Sequence, residues 1–286
     1  MAARSLRLTF VGVVAGALCA AAPAAAGAIN YVSIGDSYTS GPGIEPYSPT
    51  APAACGQSER NYPHLVAKAL GLSLTDVSCG GATTSDETES QLEGQPPQDE
   101  ALSESTEVVT IGMGGNDNGL FGTLLIDCTE IDVYEKPSQN APCKKRLEGY
   151  VKSTFAADEG PQEAALVHIK ELAPHAKVFV VGYPEITPQE GTCAAFPWYE
   201  GDLRWFRDGV QKVGNKLIKD GAKANGATFV NTFKPSEGHN ACEPVGTRWI
   251  EPLFGSLTGV AVHPNAIGEE QDAYDVELAM LKAGIR

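Results

Sequence analysis

Four short segments carry side chains that together could move an acyl group. The first, Ile34-Gly35-Asp36-Ser37-Tyr38-Thr39-Ser40-Gly41, sets a serine directly behind an apolar run. A serine there stands at a strand end with its hydroxyl exposed, and a helical turn behind it aims backbone N–H groups at an incoming anion. Taken alone, the segment is equally a strand-to-helix turn capped by Asp36 or Ser37. The second, Gly112-Met113-Gly114-Gly115-Asn116-Asp117-Asn118-Gly119, presents side-chain amides, and one Asn donor to a developing oxyanion is worth about 3 kcal/mol of barrier. The third, Ser78-Cys79-Gly80-Gly81-Ala82-Thr83-Thr84, offers a further backbone donor at Gly81. In the fourth, Ala261-Val262-His263-Pro264-Asn265-Ala266-Ile267-Gly268, a histidine precedes a helix with Pro264 in its first turn. The positive helix end disfavours imidazolium and leaves a neutral ring free to act as base.

A serine nucleophile, a histidine base and convergent donors would transfer an acyl group in two steps, through an acyl-enzyme. The remaining histidines are less well placed: His64, His168 and His175 fall in or beside helical patterns, and His239 lies in a cysteine-bearing loop. No cofactor and no metal are expected. Neither Gly-rich turn matches G-x-x-x-x-G-K-[ST] or G-x-G-x-x-G, and no close Cys-x-x-Cys pair is present.

These segments need a scaffold that brings strand ends together. Apolar, β-branched runs at Ile29–Gly35, Leu74–Ser78, Val108–Met113, Ala176–Gly182 and Thr228–Thr232 alternate with helical patterns near 61–71, 145–173, 200–225 and 264–283. That alternation predicts an α/β fold, a three-layer α/β/α sandwich around a five-stranded parallel sheet. Segments 41–60, 127–143, 183–199 and 234–259 resist the pattern and read as long loops. Several follow strand C-termini, where open α/β sheets bind their ligands.

Residues 1–26 carry Arg4 and Arg7, then a Gly- and Ala-diluted apolar run, then Ala24-Ala25-Ala26, the pattern of a cleaved secretory signal. The expectation is a secreted, extracellular protein whose residues 27–286 form one domain without stable membrane insertion. Lipid attachment at Cys19 is disfavoured by the Leu18 before it. Six cysteines remain, all in or beside the long loops, so three disulfides are expected. Fifteen connectivities are open, and short loops favour Cys55–Cys79 and Cys128–Cys143, leaving Cys193–Cys242. The net charge is -15 with no basic cluster against it, which argues against nucleic acid or an anionic bilayer as a partner. No repeat, heptad or basic tail calls for an obligate partner, so a monomer is expected.

GDS at 35–37, the glycine turn at 80–81, GGND at 114–117 and HPN at 263–265, in this order after successive strands, resemble the SGNH (GDSL) hydrolase family. The likeness is greatest to its secreted, three-disulfide lipases and esterases, and it extends to GHNAC at 238–242 and Trp249. It implies Ser37 as nucleophile, His263 as base and then acid, and the N–H groups of Ser37 and Gly81 with the Asn116 amide as oxyanion hole. Asp36 would hold the turn. Most members place an Asp three residues before the histidine, where this chain has Val260, and no acid occurs between Phe254 and His263. A Ser-His dyad follows, its imidazole oriented by a backbone carbonyl, most simply that of Val260.

Around the expected site the loops offer Ile44, Pro46, Tyr47, Leu120, Phe121, Trp198, Trp249 and Phe254, a set that suits an acyl chain better than a sugar. A small-molecule or neutral lipid ester is the expected substrate. Two other readings stay open: a carbohydrate or cell-wall O-deacetylase with the same machinery, and a catalytically silent secreted binding module.

Overall fold

The computed structural model describes residues 27–135 and 140–286; the leader and Cys19 lie outside the described residues. Strand β1, Asn30–Gly35, runs straight into a one-turn helix α1, Ser37–Ser40. Helix α2, Tyr62–Leu70, β2, Ser73–Asp76, and β3, Val108–Gly112, follow. Then come α3, Leu120–Thr129, the long α4, Pro142–Leu172, and β4, Lys177–Val181. Helices α5, Glu200–Trp205, and α6, Lys212–Ala224, lead to β5, Thr228–Val230, and α7, Ala266–Lys282, closes the chain. The strands are all parallel in the order β2-β1-β3-β4-β5. The order reverses between β1 and β3, and that switch point is where such sheets leave a crevice.

Alternating side chains divide between two faces. Val32, Ile34, Val109, Ile111, Val178 and Val180 pack with Leu166 and Ile169 of α4 and Ile218 of α6. Tyr31, Val108, Phe179 and Val181 face the other way, onto Val66 of α2 and Val276 and Met280 of α7. A third apolar cluster, including Leu124, Phe196, Trp198 and Phe206, lies among the segments that follow the strands.

Three local expectations change. Segment 127–143 is not all loop: α3 runs into it and continues as a π segment, Glu130–Glu135. A ten-residue run interrupted by Gly122 gives too little helical pattern to read, and packing of Leu120, Leu124 and Cys128 supplies the stability instead. The helical stretch at 200–225 is broken by a π segment at Phe206–Gln211. Pro264 lies outside α7, because Asn265 is the N-cap, its Oδ1 accepting from the N–H groups of Ile267 and Gly268.

The disulfides are Cys55–Cys79, Cys128–Cys143 and Cys193–Cys242. The last ties the loop after β4 to the loop after β5 across 49 residues, a closure worth about 4 kcal/mol by chain entropy. Replacing both cysteines by serine should lower Tm by about 8–16 °C. Far-UV circular dichroism at room temperature should stay native, since no strand carries a cysteine.

Candidate active site

The turn that carries Ser37 exists because two glycines lie side by side. Gly35 and Gly112 are paired in register at the ends of β1 and β3. A Cβ at Gly35 would stand 2.1 Å from Thr39 Oγ1, and one at Gly112 2.7 Å from it. Only without those carbons can α1 settle on the strand ends. Asp36 caps α1 by accepting from the Tyr38 N–H at 2.8 Å. Ser37 is then the first helical residue, and its N–H has no intrahelical partner. The Gln98 side chain bonds both the N–H and the C=O of Gly35, at 2.8 and 3.1 Å, so an amide completes the ladder beyond the end of β2. Nothing in the spacing announces Gln98, which acts from 63 positions away.

Ser37 Oγ and His263 Nε2 lie 2.8 Å apart. His263 Nδ1 lies 2.8 Å from the carbonyl of Ala261, an acceptor only, so the ring N–H is on Nδ1 and Nε2 is free to accept from the serine. This corrects the expectation for Val260, whose carbonyl accepts the backbone N–H of His263 at 3.2 Å and not the ring. The reason is Val262, which is buried and left-handed at φ 62°, turning the chain so that the nearer carbonyl meets the imidazole. Such a conformation costs a β-branched residue about 1–3 kcal/mol and persists only where neighbours enforce it. The Val262 N–H donates to Glu251 O, the Glu251 N–H donates to His263 O, and the Tyr38 hydroxyl donates to Val262 O. Burial holds the His263 pKa below its ordinary value, against the opposing pull of the Ala261 carbonyl.

Glu251 organises the loop that carries the histidine. Fully buried, its carboxylate accepts from Arg248 Nη2, the Leu257 N–H, Thr258 Oγ1 and Asn265 Nδ2 at 2.8 to 3.1 Å. Burial alone would raise its pKa, but these donors outweigh it and hold the group at about 2.

The candidate donors are fixed to one another. Asn116 Nδ2 donates to Ala82 O at 3.0 Å, which uses one of its two hydrogens. Asp117 accepts from the Thr84 N–H at 2.7 Å and from the Thr84 hydroxyl at 2.5 Å, locking the loop after β3 to the loop after β2. The Gly80 N–H donates to Cys55 O, whereas Gly81, at φ 81°, has no partner for its N–H among the described residues. Tyr183 donates to Asp36 Oδ2 at 2.5 Å and accepts from the Gly115 N–H at 2.9 Å, joining the serine turn to the Gly-rich turn after β3. Burial, opposed by the Tyr183 and Tyr38 donors, pushes the Asp36 pKa up to about 7.

Ser37 and Asn116 open onto one cavity, part of it open to solvent. Its apolar walls include Leu120, Phe121, Leu124, Phe155, Phe206 and Val210. Of the apolar loop residues expected around the site, only Leu120 and Phe121 line it. Ile44 and Trp198 are buried elsewhere, Trp249 stacks on His239, and Pro46, Tyr47 and Phe254 face solvent. The walls come from helices the loop reading passed over. Among the described residues no cluster of His, Cys, Asp or Glu could hold a metal ion, and no helix is long and apolar enough to cross a membrane.

Because Glu251 titrates below its unfolded value of about 4.3, its stabilisation is complete above that value and disappears as pH falls toward 2. Glu251→Gln should therefore lower Tm at neutral pH, with the gap to the native chain closing as scans are run at successively lower pH.

The sequence model of the GDSL-like Lipase/Acylhydrolase family matches residues 33–271. Lipase 2 of Streptomyces coelicolor is 41% identical over 258 residues, 88% of this chain and 86% of that one. Lipase 1 of the same organism is 32% identical over 272 residues, 93% of this chain and 91% of its own. Among solved structures, phospholipase A1 from Streptomyces albidoflavus NA297 superposes with a TM-score of 0.70 at 29% identity, over 88% of this chain and 98% of that one. The extracellular lipase from Streptomyces rimosus gives 0.71 at 26% identity, over 88% and 99%. With four short motifs standing after β1, β2, β3 and β5 of one parallel sheet, the chain belongs to the GDSL-like lipase/acylhydrolase family and is a carboxylic ester hydrolase.

Proposed function

We propose that the protein is a secreted, monomeric lipase or esterase that cleaves acyl esters with a Ser37-His263 dyad through an acyl-enzyme. The observation that carries this is the 2.8 Å approach of a neutral imidazole to the serine at the mouth of an apolar cavity. His263 takes the hydroxyl proton as Ser37 attacks the ester carbonyl, then gives it to the leaving alcohol. Water repeats the sequence and releases the acid. The N–H groups of Ser37 and Gly81 and the second Asn116 hydrogen stabilise the oxyanion, and the Ala261 carbonyl holds the ring N–H. Secretion is supported by the residue pattern of 1–26 and by the disulfides. Apolar walls favour an acyl chain over a sugar.

Hydrolysis of p-nitrophenyl butyrate tests the assignment: Ser37→Ala should abolish turnover, and Asn116→Ala should lower kcat by about 100-fold or more with little change in KM. Persistent turnover in Ser37→Ala would remove the serine from this role. Since burial lowers the His263 pKa, kcat/KM should hold across neutral pH and its acid limb should fall below pH 6.5, the ordinary value of about 6.5 for histidine. An acid limb above that value would contradict a buried, carbonyl-bonded ring.

A further inference from the structure

Next to the catalytic cavity lies a second one, floored by Ile111 and Val180 of the sheet and by Met113 just beyond β3, and walled by Leu166 of α4 and Gly221 of α6. The two are not separate features. Glu159, Gln162, Leu217 and Ile218 border both. We propose that they form one channel between α4 and α6, and that the esters hydrolysed carry a long acyl chain whose tail ends beside Gly221. This rests on Ser37 being the nucleophile and adds the acyl length to that reading.

The lining argues for an occupant that is apolar. Ile111, Met113, Leu166 and Val180 are buried, and the exposed Glu159 and Glu163 stand on α4 at the channel's edge. A chain growing from Ser37 therefore lies over apolar surface, with Asp158 and Glu159 bordering the first cavity and Glu163 the second.

Two glycines keep the channel open. Gly214 lines the catalytic cavity and Gly221 the second. Seven residues apart, they share one face of α6. A Cβ at Gly221 would meet only Glu163 Cγ, at 3.8 Å, so protein atoms do not occupy the space it leaves. Glycine is the least favoured residue but proline for a helix interior, and here its effect is to leave room.

The reach follows from helix geometry. The channel borders α6 and the segment before it from Val210 to Gly221, which at 1.5 Å per residue is about 16 Å. A saturated chain with bonds of about 1.5 Å advances about 1.25 Å per carbon, so about twelve to thirteen carbons fill it.

Steady-state kinetics on p-nitrophenyl esters from butyryl to palmitoyl, for the native chain, Gly221→Ala and Gly221→Leu, test this. In the native chain kcat/KM should rise with length, by up to about fourfold for each methylene buried, and peak near lauroyl. Gly221→Leu should lower the lauroyl-to-butyryl ratio at least tenfold, Gly221→Ala less, and neither should lower Tm because each removes a helical glycine. Superimposable length profiles in all three proteins would overturn the channel while leaving Ser37 in place. Butyryl turnover surviving in Ser37→Ala would overturn the nucleophile itself, a separate and distinguishable failure.

Discussion

A neutral imidazole held within 2.8 Å of a serine, with a carbonyl in place of a carboxylate behind it, is the constraint on which the rest of the structure depends. A carboxylate could pull a histidine into position by charge. A single carbonyl cannot, so the backbone around His263 has to be rigid in its own right. That explains why so many bonds converge on a short loop: the left-handed Val262, the paired backbone of Glu251, and the Tyr38 hydroxyl on Val262 O. Tyr38 directly follows Ser37, so the same turn that presents the serine also holds the loop that carries His263.

The side of the site that carries Gly81 and Asn116 is built on a similar economy. Charged or polar side chains tie neighbouring loops to one another, Asp117 to Thr84 and Asp36 through Tyr183 to Gly115. None of these acids needs to touch a substrate. Each is buried, and burial raises the pKa of both, which in an unpaired group would be pure instability. Here the hydrogen bonds they accept set the relative positions of strand ends that the sheet alone leaves loose, so donors stand ready before any charge develops.

The chemistry was more legible in the chain than the shape of its binding site. Ser37, Asn116 and His263 occur in compact segments whose glycines and prolines mark turns, and the five strands appear as apolar runs within one or two residues of their observed ends. The orienting carbonyl was placed one residue early because a side chain gives no hint of a left-handed Val262. Gln98 and Glu251 were invisible for a different reason: Gln98 works from 63 positions away, and the Glu251 carboxylate gathers donors from irregular loop positions that no periodicity marks. The cavity walls were missed because Phe155, Phe206 and Val210 look like ordinary helix core, and only the packing of α4 and of the segment before α6 shows which core residues face a space.

Orientation by a carbonyl also changes how mutation acts on the site. In a carboxylate triad a single codon change at the acid removes the orienting group. At Ala261 nearly any residue supplies the same oxygen, so that position tolerates exchange as long as its backbone keeps its course. The vulnerability passes instead to the residues that bend the chain, Val262 above all, where the fold must hold a conformation its own side chain resists. Placement of His263 thus rests on distributed loop geometry in place of one irreplaceable side chain, and variation there should be read as a change of path.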